Sequence, residues 1–557
     1  MVKQVDALVT PRNASGHPAP TGPSLLSLGF DSIGIDEGWE GCGLGVNGTV
    51  HYVNGTPTVD PKRFPDMPAL VKYGHSKGVQ MGFYLNGCGC NEKVEKTINY
   101  EGDVKATVAW GFDAVKIDSC GAQKNMTLYG QLFNASGKAT EIENCHQGQN
   151  ITDGGNPDQM AEGWCPYNLF RSSGDIVNLW DRVMSNLMSV VPWLQMRQSN
   201  ESQYSRPSCW AYPDMLEVGR MPEHNDAESR SHLAAWAIVS APLVLGFDLS
   251  NQERLSEAWP IISNREVLAI SQSYVHGADF PTGRLLRQWQ APNVPTYEVR
   301  GDCAGAACTD DEDQCAEWAK QEQCVENPSY MKAHCRKSCG ACPHGNFSGF
   351  TWLASSSSGI GSLELGGMCL DAEGQLPAGH DGSNEMHALP CEPGKPSQLW
   401  HFNQTDGALK NSAAPGQPCL RVFLHWLWNY KPIVDAAASC DADKPDRNQA
   451  WTLHANGTLQ NGQFGCIELS DDAGPPSTIW AKPLAGGKMA VLAINGADEA
   501  QHITLDFASL GLTATWSARD VWAATDLGAL ASYSKSVPAH DCILLVLSPT
   551  SGGVRAE

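Results

Sequence analysis

Positive charge is what this chain has least of for its size: 38 Lys and Arg stand against 61 Asp and Glu, a net charge of −23 over 557 residues. Nucleic acid and anionic membrane surfaces need a basic patch, so both are excluded as partners. Long apolar runs are also missing. The longest, LAAWAIVSAPLVLGF from Leu233, falls short of the ~20 residues that cross a bilayer and contains a proline, so no membrane span is expected. The opening MVKQVDALVTPRN has no basic-then-apolar leader. The G-x-G-x-x-G match at Gly43, Gly45 and Gly48 neither directly follows a predicted strand nor opens a helical pattern, and no phosphate-cradling loop occurs, so no nucleotide site is expected.

Cysteine, by contrast, is plentiful, with 20 residues, six of them crowded between Cys308 and Cys342. That density belongs to an oxidising compartment. N-x-S/T sequons at Asn13, Asn47, Asn54, Asn125, Asn134, Asn150, Asn200, Asn346, Asn403 and Asn456 agree with it. The expected location is secreted or vacuolar/lysosomal, with a leader expected upstream of Met1. The length predicts about three to four domains. The 18 tryptophans suit stacking on sugar rings and suit core packing equally.

Residues 1–283 alternate short apolar strands with amphipathic stretches such as MPALVKYGHSKG and GDVKATVAWG, the pattern of a parallel sheet wrapped by helices. Strands are predicted at 30–35, 79–85, 114–117, 140–143, 171–176, 215–218 and 242–246, and polar residues cluster just after them, as at the active face of a (β/α)8 barrel. In GFDAVKIDSC (111–120), Lys116 and Asp118 fall on one strand face because alternate side chains share a side. An ammonium beside a carboxylate at a strand end keeps that carboxylate ionised. A second candidate carboxylate, Asp175, follows in FRSSGDI. One charged and one protonated carboxyl are what glycoside hydrolysis needs, whereas a lone K-x-D is as often a simple ion pair.

Beyond the barrel segment, 284–300 reads as a first sandwich strand (RLLRQWQ) and a linker, and 476–557 as the remaining strands of a C-terminal antiparallel β-sandwich. Between them lie two inserts. Residues 301–345 hold Cys308, Cys315, Cys324, Cys335, Cys339 and Cys342 and resemble the ShKT module of secreted proteins. The resemblance implies bridges Cys308–Cys342, Cys315–Cys335 and Cys324–Cys339. The channel-blocking lysine is absent, since Ser329 precedes Tyr330, so a disulfide-stapled spacer is expected. Residues 346–475 carry an internal repeat: Cys369-Leu370-Asp371 answers Cys419-Leu420-Arg421, and Gln398-Leu399-Trp400 answers Gln449-Ala450-Trp451. Bridges Cys369–Cys391 and Cys419–Cys440 would close loops of similar length. This pattern resembles the ricin-B β-trefoil lectins, which implies a glycan as a candidate ligand. A third repeat starts at Cys466 and has no Q-x-W after it, so a partial trefoil is expected.

The segments IDEGWEGCG, RFPDMPALVKYGHSKGVQMGFYLNGCG, GFDAVKIDSC, CPYNLFRSSGDI, CWAYPDMLEVG and AWAIVSAPLVLGFDL, in this order, resemble glycoside hydrolase family 27, the α-galactosidase (melibiase) family. The resemblance implies a retaining mechanism without metal or organic cofactor, Asp118 as nucleophile and Asp175 as acid/base. It gives Lys116, Arg171, Asp36, Glu37, Tyr84 and Asp214 to the sugar pocket. It also implies that Cys120 bridges to Cys88 or Cys90, and Cys145 to Cys165. Three departures stand out. The family's opening strand, with its pocket tryptophan, has no counterpart, so a missing first strand is expected. Glu37 stands where a second aspartate is usual, which brings a β-L-arabinopyranoside into play. His146 stands where a glutamate reads the 2-hydroxyl, with no small residues to admit an acetamido group. The expectation is an α-galactosidase; a β-L-arabinopyranosidase, an α-N-acetylgalactosaminidase and a catalytically impaired sugar-binding protein compete with it.

Overall fold

The computed structural model describes residues 1–550 except for scattered segments, the longest being 146–163, 196–203, 290–296, 301–309, 340–349, 373–386, 412–418, 425–431 and 438–448. The chain divides into two units: Met1–Gln288, Thr478–Asn495 and Glu499–Glu557 in one, Trp289–Ser477 and Gly496–Asp498 in the other.

In the first unit six parallel strands pair in chain order: β1 (Ser32–Ile35), β2 (Gln80–Leu85), β3 (Ala114–Asp118), β4 (Glu141–Cys145), β5 (Leu169–Arg171) and β6 (Trp210–Tyr212). In β3, Val115 and Ile117 are buried on one face while Lys116 and Asp118 take the other. Helices α1 (Val2–Val9), α2 (Met67–Ser76), α3 (Thr97–Trp110) and α4 (Met126–Ser136) fill the first half of the unit. Asp66 caps α2 by accepting from Ala69 N at 2.9 Å, and Asn125 caps α4 by accepting from Leu128 N at 2.7 Å. Strand–helix–strand crossovers align all carboxyl ends of the strands on one rim, where Asp36, Asp118, Cys145, Arg171 and Tyr212 emerge.

The predicted strand 171–176 is shifted: β5 ends at Arg171, and β6 is a strand the pattern did not predict. The predicted strands 215–218 and 242–246 reduce to one parallel bridge, Leu216↔Leu245. Pro213 has no N–H to give and Asp214 turns to φ 76°, so the ladder stops after Tyr212. Among the described residues the ladders run from β1 to β6.

The sandwich belongs to the same unit. β7 (Arg284–Trp289) pairs with β20 (Ser477–Leu484), and β21 (Lys488–Ile494), β26 (Cys542–Pro549), β23 (Trp516–Asp520) and β24 (Thr525–Leu530) extend the sheet, with β22 (Gln501–Asp506) paired to β25 (Ser532–Val537). It docks on the helices α5 (Trp180–Ser189), α6 (Asp226–Ile238) and α8 (Arg265–Ser271), the last preceded by α7 (Gln252–Ile262). Arg519 forks onto Glu266 at 2.7 and 2.8 Å, and the His540 ring stacks on Trp180. Lys482, fully buried, donates to Ala237 O, Ile270 O and Ser271 O, closing the carboxyl ends of α6 and α8. Burial pulls its ammonium down to about 7.

The second unit's strands β8–β19 form one twelve-stranded sheet. In chain order they are β8 (Tyr297–Arg300), β9 (Thr351–Ala354), β10 (Ile360–Leu365), β11 (Met368–Asp371), β12 (His387–Pro390), β13 (Trp400–Phe402), β14 (Leu409–Asn411), β15 (Cys419–Leu424), β16 (Pro432–Ala437), β17 (Trp451–Leu453), β18 (Leu459–Asn461) and β19 (Gly465–Leu469). Pairing sorts them into three repeats: β11–β14, β15–β18, and β19 with β8, β9 and β10. β19 pairs with β8 as β11 does with β12 and β15 with β16. The third repeat is therefore completed by strands that precede it in the chain.

Its counterpart of Trp400 and Trp451 is Phe350. Phe350 N bonds to Gly457 O as Trp451 N bonds to Gly407 O, and all three rings are buried in one core with Leu409, Leu459 and Leu363. Each indole also donates to a carbonyl in the first strand of its own repeat, Trp400 to Leu370 O at 2.9 Å and Trp451 to Leu420 O at 2.8 Å. Trp400→Ala is expected to cost this unit ~3–5 kcal/mol, read as loss of unfolding free energy in denaturant.

The disulfides Cys315–Cys335, Cys324–Cys339 and Cys369–Cys391 form as expected, and Cys419 is also disulfide-bonded. Cys308, Cys342 and Cys440 lie outside the described residues.

Candidate active site

The register of β2, β3 and β4 places Tyr84, Lys116 and Glu143 on one level, with Asp118 and Cys145 one residue pair further toward the rim. Tyr84 donates its phenol proton to Asp118 Oδ2 at 2.9 Å. It is itself buried and held from behind, since Trp39 Nε1 donates to its carbonyl at 2.8 Å. Burial raises the Tyr84 phenol well above its ordinary value, and the charge of Asp118 adds to this. The tyrosine therefore stays a donor and fixes the rotation of the carboxylate it serves.

Lys116 Nζ lies 3.0 Å from Asp36 Oδ2 and 5.7 Å from the centre of the Tyr84 ring. Burial opposes the ammonium charge, but the neighbouring carboxylates Glu143 and Asp36 outweigh burial and raise its pKa. Burial likewise works against the Asp36 carboxylate, and Lys116 prevails, holding it below the usual value. Glu37, exposed, follows with its backbone N–H bonded to Asp36 Oδ1.

Across the site Arg171, buried at the end of β5, reaches Asp175 Oδ1 at 2.6 Å and Asp214 Oδ2 at 3.3 Å. Burial again opposes the charge; Asp214 and Asp175 keep the guanidinium firmly protonated. Asp214 does not cap a helix. Its φ of 76° is strained for a residue with a Cβ, and four bonds hold it there. Ile176 N and Arg171 donate to Oδ2, Met215 N to Oδ1, and the Trp236 indole to its carbonyl. Asp175 is half-exposed, on a turn that α5 secures through Arg182 to its carbonyl and Asn186 to Gly174 O. Two carboxylates thus stand on the same rim, Asp118 fixed by a tyrosine and Asp175 paired to an arginine.

The structure brings together Asp36, Tyr84, Lys116 and Asp118 on one side and Arg171, Asp175 and Asp214 on the other; His146 lies outside the described residues. One cysteine expectation fails, and another loses one of its two alternatives. Cys90 bonds Cys42, tying the loops after β1 and β2, so it is not the partner of Cys120; Cys88 and Cys120 lie outside the described residues. Cys165 bonds Cys209, and Cys145 is a buried free thiol. Cys145 ends β4 whereas Cys165 precedes β5, so parallel strands put them at opposite ends, too far apart for a bridge. Sequence reasoning also passed over Glu143 and Tyr212, which are bonded to each other inside the pocket. Their signal was the alternation in EIENC and the position of Tyr212 just before Pro213-Asp214.

Residues 25–273 match the family model described as alpha galactosidase A, 474–547 the alpha galactosidase C-terminal beta sandwich domain, and 307–342 the ShK domain-like family. Among curated proteins, the chain is 30% identical over 279 residues to an alpha-galactosidase of Oryza sativa subsp. japonica, covering 48% of this chain and 61% of that one. It is 29% identical over 258 residues to an alpha-N-acetylgalactosaminidase of Gallus gallus, covering 44% and 59%. The chain thus spans about three-fifths of these relatives' length, 61% and 59%. Among solved structures, alpha-galactosidase I of Mortierella vinacea superposes with TM-score 0.52 at 17% identity over 99% of this chain and 93% of that one. The enzyme of Saccharomyces cerevisiae gives 0.53 at 13% identity over the same shares. These likenesses establish a shared fold.

Proposed function

We propose that this chain is a retaining α-galactosidase that removes terminal α-D-galactosyl groups. The observation that carries this is the pairing of Asp118, oriented by Tyr84 beside Lys116, with Asp175 across the rim on Arg171. Asp118 attacks the anomeric carbon while Asp175 protonates the leaving oxygen, giving a glycosyl ester; Asp175 then deprotonates the water that cleaves it. A bound sugar whose hydroxyls engage Arg171 loosens its pair with Asp175 and frees that carboxyl to face the leaving oxygen. Asp36, with Lys116, reads hydroxyls on the far side of the ring. The reaction as written needs no metal or organic cofactor.

Galactose is the preferred sugar over arabinopyranose and N-acetylgalactosamine, a choice tested by turnover on the three nitrophenyl glycosides. The second unit is read as a β-trefoil with the ShK-like module inserted between β8 and β9. Its first repeat does not offer an open sugar site at Asp371, which is buried and taken by Gln398 at 2.9 Å and Lys395 at 3.2 Å. The disulfides and sequons suit a secreted or vacuolar/lysosomal protein.

Asp175→Ala tests the acid/base assignment. Turnover of substrates with poor leaving groups should fall by ~10²–10⁴-fold, less for activated aryl galactosides, and added azide should rescue the aryl reaction. An equal loss on both substrate classes, without rescue, would remove Asp175 from that role.

A further inference from the structure

Glu143 has no task in the mechanism above, yet it stands in its midst. It is the Cα partner of Lys116 on the neighbouring strand and shares the strand face of Cys145, which is the Cα partner of Asp118. Its Oε1 accepts the phenol proton of Tyr212, the Cα partner of Arg171. Lys116 in turn holds Asp36 at 3.0 Å. Asp36 after β1 thus bonds Lys116 on β3, Tyr212 on β6 bonds Glu143 on β4, and Lys116 and Glu143 stand side by side in register between these two pairs.

We propose that Glu143 is a positioning residue that anchors Lys116 from the β4 side while Asp36 holds it from the β1 side, so that the ammonium meets the sugar as a fixed donor. This rests on reading the site as a galactoside pocket. With one carboxylate alone, a lysine chain can swing about its salt bridge; two carboxylates on flanking strands confine it. Tyr212 secures Glu143 in turn, and the paired register of β5 and β6 carries that order to Arg171.

The arrangement makes the anchor sensitive to acid. Burial raises the Glu143 carboxyl above its ordinary value and Asp214 adds to this, while Lys116, the Tyr212 hydroxyl and Arg171 pull it back. The other titratable groups around it are Asp36 and Glu37 after β1, Tyr84 on β2, Asp118 on β3 and Cys145 on its own strand. Protonation of Glu143 removes the β4-side charge, leaving Lys116 on Asp36 alone. Wild type at low pH then resembles a glutamine variant.

The test is the pH profile of KM and kcat for nitrophenyl α-galactoside with wild type, Glu143→Gln and Glu143→Asp. Wild-type KM should climb as pH falls. Glu143→Gln should show KM about fivefold higher at neutral pH, flat with pH and meeting wild type at the acid end, with kcat falling less than KM rises. Glu143→Asp should restore the pH dependence. A Glu143→Gln enzyme with wild-type KM and profile, or one that loses kcat at unchanged KM, overturns the proposal while the galactosidase reading stands. If wild type turns over no α-galactoside, that reading fails, and the anchor is judged by unfolding of Glu143→Gln, Lys116→Met and the double variant. Midpoint shifts that fall short of additivity support the anchor, and strictly additive shifts overturn it.

Discussion

Asp118→Asn is expected to lower kcat by at least ~10⁴-fold, or ~5.5 kcal/mol of transition-state stabilisation, with little change in the circular dichroism or unfolding midpoint. An amide cannot form the glycosyl ester, so the loss falls on chemistry and not on binding. Folding should be spared because Asp118 is partly open and asparagine can still accept the Tyr84 proton at the same oxygen position. The control is Tyr84→Phe, which leaves the carboxylate but frees its rotation; it should cost ~10–10²-fold, the scale of one lost hydrogen bond to a charged group. If Asp118→Asn keeps turnover comparable to wild type, the nucleophile lies elsewhere.

The second large effect concerns stability and comes from a site that takes no part in the chemistry. His51 is buried between two carboxylates, with Nδ1 2.8 Å from Glu92 Oε2 and Nε2 3.0 Å from Asp103 Oδ1. Tyr129 donates to the other oxygen of Asp103 at 2.7 Å, and Asn99 donates to Glu92. Burial opposes the imidazolium, but its bonds and charge contacts with Asp103 and Glu92 prevail and raise it to about 9. The loop bearing His51 also carries Trp39 and is stapled by Cys42–Cys90, so this cluster pins the segment behind Asp36, Glu37 and Tyr84 onto α3.

Because the folded value lies above the unfolded value of about 6.5, the contribution is fully present below ~pH 6.5 and is lost as pH rises through about 9. The difference corresponds to roughly 3 kcal/mol. His51→Ala leaves two buried carboxylates facing each other and should cost ~3–5 kcal/mol near neutral pH, narrowing as pH passes 9. Urea unfolding of both proteins at pH 6 and pH 9.5 measures this. A gap between them that does not change with pH would mean that His51 is neutral in the folded protein.

Periodicity gave part of the site: the alternation in AVKID told which face Lys116 and Asp118 share. Arg171 and Asp175 came from the resemblance of FRSSGDI to the family's motif, and their pairing at 2.6 Å emerged only from the structure. The first unit's later strands were harder, because Pro213 and the left-handed turn at Asp214 break the ladder where apolar runs suggest it continues. The expected Cys145–Cys165 bridge failed because spacing says nothing about which end of a strand a residue occupies. The third repeat stayed hidden for a different reason: its Phe350 replaces the tryptophan and stands before the other two repeats in the chain, so a search running downstream from Cys466 could not meet it. Glu143 carried no motif. Only the register of β3 and β4 brings it to Lys116.

The central claim is that Asp118 and Asp175 hydrolyse α-galactosides by double displacement. It is tested most directly by proton NMR of the first sugar released from an α-galactoside, recorded before mutarotation. The account predicts α-galactose first, with β-galactose growing in only as the anomers equilibrate. β-Galactose as the first product would mean a single displacement by water and would contradict it.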